Sequence, residues 1–573
     1  MGETIEAKEC ILGKLFSTEF LFEIPLYQRP FSWSTENFEQ LFDDIYEAFS
    51  GSSKQYFLGS IILQESAGKK DTFEVVDGQQ RLTALALFLA VVRDLTAEEL
   101  LRKTLEESLF QEANPYKSIP RQVRITPWEA LRDTFNKYLY KRGGSSDFKK
   151  EFEGGRIKFT DQEDSLYHLY EAVSVFTRRY GELLIDPSIL GRFITFLMGN
   201  VYVVYIKTSE FISAFRMFTV LNTRGISLSI ADLLKSENLG AITDLGERIR
   251  AARNWQAIED DLGREALEKV VIFIRTIQVK DKSRLGIYDE YQSLIFRPKL
   301  LDRGGAFIGY VTEVADIHSE KILNPIVHLD AAEKNEYRAL VQMLTRFIPF
   351  DDWIPPTIAF HQKFKDDAKL SAFVIELEKK VFVEWAVGLS LTERIGSLNQ
   401  VIKIIAGTAS PEDVVSQTKG WKEPEKLREI MIRVLSDPQF YYIFGGKLAR
   451  YFLLRLDLDQ WEMENFGGYS GTITVEHVLP QTPQEESEWK KSFDDKSRAE
   501  LTNAVGNLVL LSGRKNSSAR NYEFAKKKEA YFRGRSTAFR ITRELESVDS
   551  WSPTEVAKRQ ALLISRAESI YFS

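Results

Sequence analysis

The sequence contains a single cysteine, Cys10, among its 573 residues. One thiol excludes an internal disulfide and a zinc site built from several cysteines. No apolar run reaches the roughly 18 residues that a membrane-spanning helix needs, and the first residues lack the basic and then apolar order of a signal peptide. We therefore expect a cytoplasmic protein without a membrane partner.

Both common glycine-rich phosphate-binding motifs are also missing. The string closest to a P-loop ends at Lys447, but Tyr441 stands where the first glycine is required and Leu448 stands where Ser or Thr is required. A G-x-G-x-x-G string is absent as well. Any nucleotide chemistry in this chain must therefore use another scaffold.

Acidic residues outnumber basic ones over the whole chain, but one segment reverses this balance. The net charge of -7 argues against non-specific coating of nucleic acid. Within residues 511–543, however, ten Lys or Arg stand against two acidic residues. Such a run is usually a solvated helix face, but this one directly follows a candidate nuclease motif, which favours contacts with DNA phosphates. The candidates for these contacts are Arg514, Lys515, Arg520, Lys527 and Lys528.

Strands and helices alternate in the N-terminal part of the sequence. Three runs rich in β-branched and aromatic residues predict strands, at 56–63, 73–76 and 201–206. Residues 82–95 are apolar on most faces, which predicts a buried helix. The pattern Ser229-x-x-Asp232 predicts the start of another helix through a capping box.

Helical periodicity dominates from about residue 235 to 466, although the polar, turn-rich residues 407–424 predict a loop. Strand character returns at 472–475 and 507–511, and a helix is predicted from about Asn516 to Phe532. We therefore expect an α+β multidomain protein. Its predicted domains are 1–240, a helical middle region 241–440, and 441–573.

Four polar residues near the C-terminus could form a catalytic site. Hydrolysis of a phosphodiester needs a base for water and a cation that stabilises charge on the phosphate. His477, at the end of a predicted strand, could be the base. The Asn516 amide oxygen suits a hard cation such as Mg²⁺ or Mn²⁺, and Glu476 could add a carboxylate. Asn507 could fix the loop that carries His477 through side-chain hydrogen bonds to the backbone.

A lone histidine is more often structural than catalytic, and the sequence has only five histidines. His477 by itself would therefore prove nothing. The order of elements is more specific: a strand that ends in Glu-His, a strand that opens with Gly-Asn-Leu, and a helix predicted to begin at Asn516, nine residues after Asn507. This order favours the catalytic interpretation.

Three polar motifs lie in apolar surroundings in the N-terminal part: IPLYQRP at 24–30, DGQQR at 77–81 and NTRG at 222–225. The guanidinium groups of Arg29 and Arg81 suit phosphate oxygens. Asp77 could hold a metal ion or could orient an arginine. Each motif taken alone could equally be a turn with a satisfied ion pair.

The C-terminal strings VEHVLPQ, GNLVLL and N-x7-F-x3-K-x2-Y resemble the HNH nuclease domain of the GmrSD-type modification-dependent restriction family. This resemblance implies a ββα-metal fold over roughly the last hundred residues. It implies that His477 is the general base and that Asn516 is a metal ligand. Glu476 stands where many such enzymes carry Asp. Phe524, Lys528 and Tyr531 fit the closing helix, and the charged residues 485–500 fit an inserted loop.

Residues 10–240 resemble the GmrS-type half of the same family, whose fold is ParB-like. The resemblance rests on FxIPxYQRPFSW, YFLGS, VDGQQRLTAL and LNTRGxxLxxADLLK. It implies binding and hydrolysis of a nucleoside triphosphate such as GTP or ATP, and a part in sensing modified DNA. The residues implicated are Tyr27, Gln28, Arg29, Asp77, Gly78, Gln79, Gln80 and Arg81, with Asn222 and Gly225 beside them.

The sequence thus predicts a nucleotide-responsive, metal-dependent DNA endonuclease or nickase that acts on modified foreign DNA. Glucosylated or hydroxymethylated cytosine and phosphorothioate linkages are all open as the modification, and a homodimer is open as the assembly. Two alternatives stand beside this prediction. One is a DNA-binding regulator whose HNH-like part is only a scaffold, and the other is a nuclease for RNA or DNA processing.

Overall fold

The structure of the protein is a computed structural model that describes residues 6–25, 28, 30–51, 54–66, 69, 71–113, 116, 120–159, 164–184, 187–208, 229–418, 424–512, 521–532 and 539–572. The chain divides into two compact units, Met1–Trp255 and Gln256–Ser573. The α+β class expected from the sequence is confirmed, because strands and helices form both units. The three-domain division at 240 and 440 stays a prediction.

A mixed six-stranded sheet forms the centre of the first unit. Its strands, in spatial order, are β1 (Glu6–Ile11), β8 (Val201–Thr208), β3 (Tyr56–Glu65), β4 (Thr72–Asp77), β2 (Leu21–Glu23) and β7 (Ile125–Thr126). Strands β3 and β8 run parallel, whereas β3 and β4 run antiparallel. Two short strands, β5 (Phe110–Gln111) and β6 (Gln122–Val123), pair separately. The strands predicted at 56–63, 73–76 and 201–206 are confirmed.

Helices surround this sheet in the first unit. They are Leu12–Leu15, Thr35–Ser50, Gln79–Leu95, Glu99–Leu109, Glu129–Leu131, Arg132–Thr134, Phe135–Leu139, Gly144–Glu153, Ser165–Leu183, Pro187–Asn200, Ile230–Ala241 and Leu245–Leu262, the last of which contains the division between the units. The helix Gln79–Leu95 is buried along most of its length, as its apolar sequence predicts. The capping box predicted at Ser229 is also confirmed, because Ser229 and Asp232 bond each other's backbone N–H groups.

The second unit begins with a helical region, as predicted from the periodicity. Its helices are Arg264–Val279, Ile287–Glu290, Tyr291–Phe296, Gly305–His318, Ser319–Leu323, Ala331–Phe347, Ile354–Phe364, Asp367–Ala386, Leu391–Gly407, Pro411–Thr418, Pro424–Leu435, Phe440–Gly446, Lys447–Leu458 and Met463–Asn465. The loop predicted at 407–424 is therefore wrong in part. Pro411–Thr418 is a helix that buries Val414 and Thr418, so its few apolar residues suffice for packing.

Two antiparallel strands follow, β9 (Ile473–His477) and β10 (Leu508–Ser512), with His477 paired to Leu508. The helices around them are Glu488–Ser492, Asp495–Leu501, Val505–Asn507, Phe524–Phe532, Arg540–Arg543, Glu544–Ser547 and Pro553–Phe572. Both strands are confirmed. The inserted loop expected at 485–500 is instead partly helical, and it buries Trp489 and Phe493 in the local core.

Candidate active site

His477 ends strand β9, and its side chain is held on two sides. Its Nε2 lies 3.2 Å from Oδ1 of Asn503, and its ring meets the ring of Tyr441 edge to face, with 4.4 Å between centroids. Only 7 % of His477 is exposed. Burial lowers the pKa of His477 to about 4, and the contact with Asn503 offsets part of this effect. The imidazole is therefore neutral near pH 7 and carries a lone pair that can accept a proton.

Asn507 is completely buried, and all of its side-chain hydrogen bonds stay within the protein. Its Oδ1 accepts from the backbone N–H of Leu479 at 2.7 Å and from Nε1 of Trp551 at 3.1 Å. Its Nδ2 donates to the carbonyls of Leu479 and Thr502, at 2.9 and 2.8 Å. These four bonds fix the segment that follows His477 and leave the Asn507 amide closed off from solvent.

The C-terminal helix covers the turn that carries Asn507. Nη1 of Arg559 donates to the carbonyls of Gly506 and Leu508, at 2.9 and 2.8 Å. A Cβ atom at Gly506 would lie only 2.3 Å from the carbonyl oxygen of Val556. Glycine is therefore required at position 506 because helix and turn backbones approach so closely.

Glu476, beside the histidine, forms a buried ion pair with Lys527. Their Oε1 and Nζ atoms are 2.6 Å apart, and the same ammonium donates to the backbone carbonyl of His477 at 2.5 Å. Burial raises the pKa of Glu476 and lowers the pKa of Lys527, and in each case the ion pair opposes the effect of burial. This pair ties strand β9 to the helix Phe524–Phe532.

Two lysines of the basic segment that were predicted to contact phosphate are described, and the prediction for one of them needs correction. The side chain of Lys527 is fully buried against Glu476, so the prediction that it contacts DNA phosphate is wrong. The ammonium of Lys528 donates to the carbonyls of Glu546 and Val548, at 2.9 and 2.7 Å, so it too is bound within the protein. Arg514, Lys515 and Arg520 lie outside the described residues.

The predicted metal ligands can be tested only at Glu476, because Asn516 lies outside the described residues. No group of three or more His, Cys, Asp or Glu in the described part of the chain could hold a metal ion. A divalent cation at Glu476 would also meet the Lys527 ammonium bound to the same carboxylate. The described donors therefore do not fit a metal at Glu476. The continuous helix predicted from about Asn516 to Phe532 is wrong in part, because residues 521–523 are not helical and the helix Phe524–Phe532 follows them.

Two residues at the site, Asn503 and Tyr441, lie outside the sequence strings that identified His477. Asn503 contacts His477, and its Oδ1 also accepts from Nε2 of Gln481 at 3.1 Å. Tyr441 packs on the imidazole from a segment more than thirty residues earlier. The position of Gln481 directly after the Glu-His-x-x-Pro string was the one usable signal.

In the first unit, two of the N-terminal motifs are joined by glutamine side chains. Nε2 of Gln28 donates to the carbonyl of Val76 at 2.7 Å. Nε2 of Gln80 donates to the carbonyl of Pro30 at 3.0 Å, and its Oε1 accepts from the N–H of Ser32 at 3.0 Å. These amides hold Gln28, Pro30 and Ser32 against the end of β4 and the start of the helix Gln79–Leu95. Tyr27, Arg29, Asn222 and Gly225 lie outside the described residues.

Arg81 connects this region to strand β3. Its Nη1 donates to the carbonyl of Ser60 at 3.0 Å, and a Cβ at Gly59 would lie 3.1 Å from the guanidinium. Burial lowers the pKa of Arg81, and the nearby Asp77 opposes this effect. Gly78 has a φ of 92°, and a Cβ there would lie 2.5 Å from Ile61. Gln79, the remaining predicted residue, is buried.

Two family models match the chain. The N-terminal domain of the GmrSD restriction endonucleases matches residues 12–239, and the C-terminal domain of these enzymes matches residues 426–566. Together they define a nuclease of type IV restriction, whose substrate is DNA. The chain belongs to the GmrSD restriction endonucleases. No curated protein matches it. In the described part of the chain, no helix is both long and apolar enough to cross a membrane.

Proposed function

We propose that the chain is an HNH-type endonuclease or nickase for modified foreign DNA, controlled by a nucleoside triphosphate that binds the N-terminal unit. The observation that carries the nuclease assignment is the environment of His477. A neutral imidazole stands at the end of β9, oriented by Asn503 and Tyr441, while Asn507 fixes the following segment. This arrangement supports His477 as the general base.

In the proposed reaction, His477 takes a proton from a water molecule as that water attacks the phosphorus atom. The bond from phosphorus to the leaving oxygen then breaks, and a proton from solvent completes the leaving hydroxyl group. Mg²⁺ or Mn²⁺ would stabilise charge on the phosphate. We assign no step to the metal, since Glu476 is paired with Lys527 and the role of Asn516 stays a prediction from sequence.

The nucleotide assignment is supported by the meeting of two N-terminal motifs at the end of β4. Gln28 and Gln80 hold these motifs together through backbone contacts, so we propose that they shape the site. Among the described residues of these two motifs, we propose that Arg81 binds a phosphate group, because a guanidinium can bond two phosphate oxygens at once. A cytoplasmic location is part of the same proposal.

The central experiment separates the two proposed activities in the full chain. We expect His477→Ala to abolish nicking of modified plasmid while hydrolysis of GTP or ATP continues, because the substitution removes the base alone. His328→Ala is the matched control, since His328 is an exposed histidine of the same unit. Loss of both activities in a folded His477→Ala variant would contradict the assignment.

The converse substitution, Arg81→Ala, is expected to reduce triphosphate hydrolysis, and an unchanged hydrolysis rate would remove the N-terminal assignment. Substrate class is tested with the wild-type chain on unmodified DNA, hydroxymethylated or glucosylated DNA, phosphorothioate DNA and RNA, each with and without nucleotide and divalent metal. Cleavage of RNA alone, or equal cleavage of all DNA, would favour a processing nuclease over restriction of modified DNA.

A further inference from the structure

Asn503 is the hydrogen-bond partner of the His477 imidazole, and its own orientation is fixed from three directions. Its Nδ2 donates to Oε1 of Gln439 at 3.0 Å. Its Oδ1 accepts from Nε2 of Gln481 at 3.1 Å, and its backbone carbonyl accepts from the N–H of Tyr441 at 3.0 Å. The amide therefore presents its oxygen, and not its nitrogen, to the histidine.

The orientation of the amide decides which imidazole nitrogen carries the proton. An amide oxygen can only accept a hydrogen bond. Nε2 of His477, 3.2 Å from that oxygen, must then be the N–H donor. A neutral imidazole has a single N–H, so Nδ1 is left with the free lone pair.

The ring of Tyr441 restrains the rotation of the His477 imidazole plane. It meets the His477 ring at an interplanar angle of 69°. The same Tyr441 is tied through its backbone N–H to the carbonyl of Asn503. Gln439 and Tyr441 lie two residues apart in the chain. Together they restrain the Asn503 amide, which selects the protonated nitrogen, and the plane of the His477 ring.

We propose that Asn503 is a positioning residue that holds His477 in the Nε2–H tautomer and leaves Nδ1 as the base that accepts the proton of water. This inference rests on the proposed nuclease function and deepens it. Gln481 supports the arrangement from the solvent side, because it donates both to Asn503 and to the hydroxyl of Tyr442, at 3.1 and 2.9 Å. Asn503 does not touch the reacting atoms and acts through His477 alone.

The kinetic test compares Asn503→Ala, Asn503→Asp and Gln439→Ala in the full chain. The probe is supercoiled plasmid that contains 5-hydroxymethylcytosine, with Mn²⁺ and GTP present. We expect Asn503→Ala to lower kcat about 10- to 100-fold with little change in KM, as for other residues that orient a catalytic histidine. Asn503→Asp keeps an acceptor oxygen toward Nε2 and should recover much of the rate. Gln439→Ala removes a neighbouring bond of the same amide and should have a smaller effect.

A spectroscopic measurement tests the tautomer without any need for activity. In protein labelled with ¹⁵N-histidine, the signals of His477 are identified by their absence in His477→Ala. We expect the wild type to show the Nε2–H pattern and Asn503→Ala to show a mixture of tautomers. A wild-type Nδ1–H pattern, or an unchanged tautomer together with unchanged kcat in Asn503→Ala, would overturn the proposal. Failure of the wild type to nick any DNA would instead count against the nuclease function itself.

Discussion

The C-terminal site and the N-terminal motif region use side-chain amides in the same way but differ in what those amides surround. Asn507 in the second unit and Gln28 and Gln80 in the first unit all bind backbone groups of neighbouring loops. In the C-terminal site, Asn507 fixes the segment after a buried neutral histidine, which a second amide, that of Asn503, contacts directly. In the N-terminal region, the amides lie beside the half-buried Arg81.

Under the proposed function, this difference separates a site that would move a proton from a region that would hold an anion. A lone pair on His477 can accept a proton, whereas a guanidinium stays charged and offers only N–H donors. The N-terminal region also shows that a distinctive sequence motif need not supply the side chains that would contact a ligand. In DGQQR, the Gln80 amide holds the chain, and the groups that would face a ligand are fewer than the motif suggests.

The largest effect is expected from Lys527→Met. The substitution leaves the Glu476 carboxylate without its cation and the His477 carbonyl without its donor, both in buried surroundings. Breaking a buried ion pair costs about 3–5 kcal/mol, so the free energy of unfolding of the second unit should fall by that order. Denaturant unfolding of the full chain, followed by tryptophan fluorescence, measures it.

Lys526→Met is the matched control, because the neighbouring Lys526 is exposed and lies over the ring of Tyr522. We expect it to change stability by less than about 0.5 kcal/mol, as is usual for surface positions. The double variant Glu476→Gln/Lys527→Met should be more stable than Lys527→Met alone, since it removes the unpaired charge. Equal stabilities of Lys527→Met and Lys526→Met would show that Lys527 is not the buried partner of Glu476.

A smaller loss of stability is expected when one glycine in each region is replaced by alanine. Gly506→Ala would place a Cβ against the carbonyl of Val556, and Gly78→Ala would place one against Ile61 at a φ of 92°. Overpacking of this kind costs about 1–3 kcal/mol. We expect Gly506→Ala to impair nicking and spare triphosphate hydrolysis, and we expect Gly78→Ala to do the reverse.

The two controls for this pair are Gly467→Ala and Gly191→Ala, where an added Cβ meets nothing within 4 Å. Both should keep both activities and at least wild-type stability, since alanine is favoured over glycine inside the helix that carries Gly191. If Gly506→Ala and Gly78→Ala each impaired both activities equally in folded protein, the two regions could not be treated as separate sites.

Local sequence patterns were sufficient for much of the fold. β-branched and aromatic runs located β3, β4 and β8, and the apolar run after DGQQR located the helix Gln79–Leu95. The burial of Lys527 was not predictable in this way. It is one of three consecutive lysines, a pattern typical of a solvated helix face, and only the approach of Glu476 from a distant strand draws it inside.

The C-terminal site shows the same limit. The Glu-His and Gly-Asn-Leu strings identified His477 and Asn507, because His477 ends β9 and Asn507 directly precedes β10, the strand that pairs with it. Asn503 lies 26 residues from His477 along the chain, and no fixed spacing connects the two. Contacts of this kind are set by tertiary packing. Asn503 lies beside His477 only when the residues between β9 and β10 are folded.

The smallest effect is expected from Gln80→Ala, and it tests whether the N-terminal amides position the chain as those of the C-terminal site do. The substitution removes the bonds to Pro30 and Ser32. Because Gln80 is only half-buried, water can replace part of what is lost, and the cost should be about 1 kcal/mol. Asn507→Ala should cost more, since four bonds of a fully buried amide are lost there. Gln40→Ala is the control, because its amide bonds Asp44 on the exposed surface.

If Gln80 positions the segment around Pro30, its loss should raise the KM for GTP more than it lowers kcat. A loss confined to kcat would mean that Gln80 takes part in the chemistry directly, and the likeness between the two regions would then end at this residue.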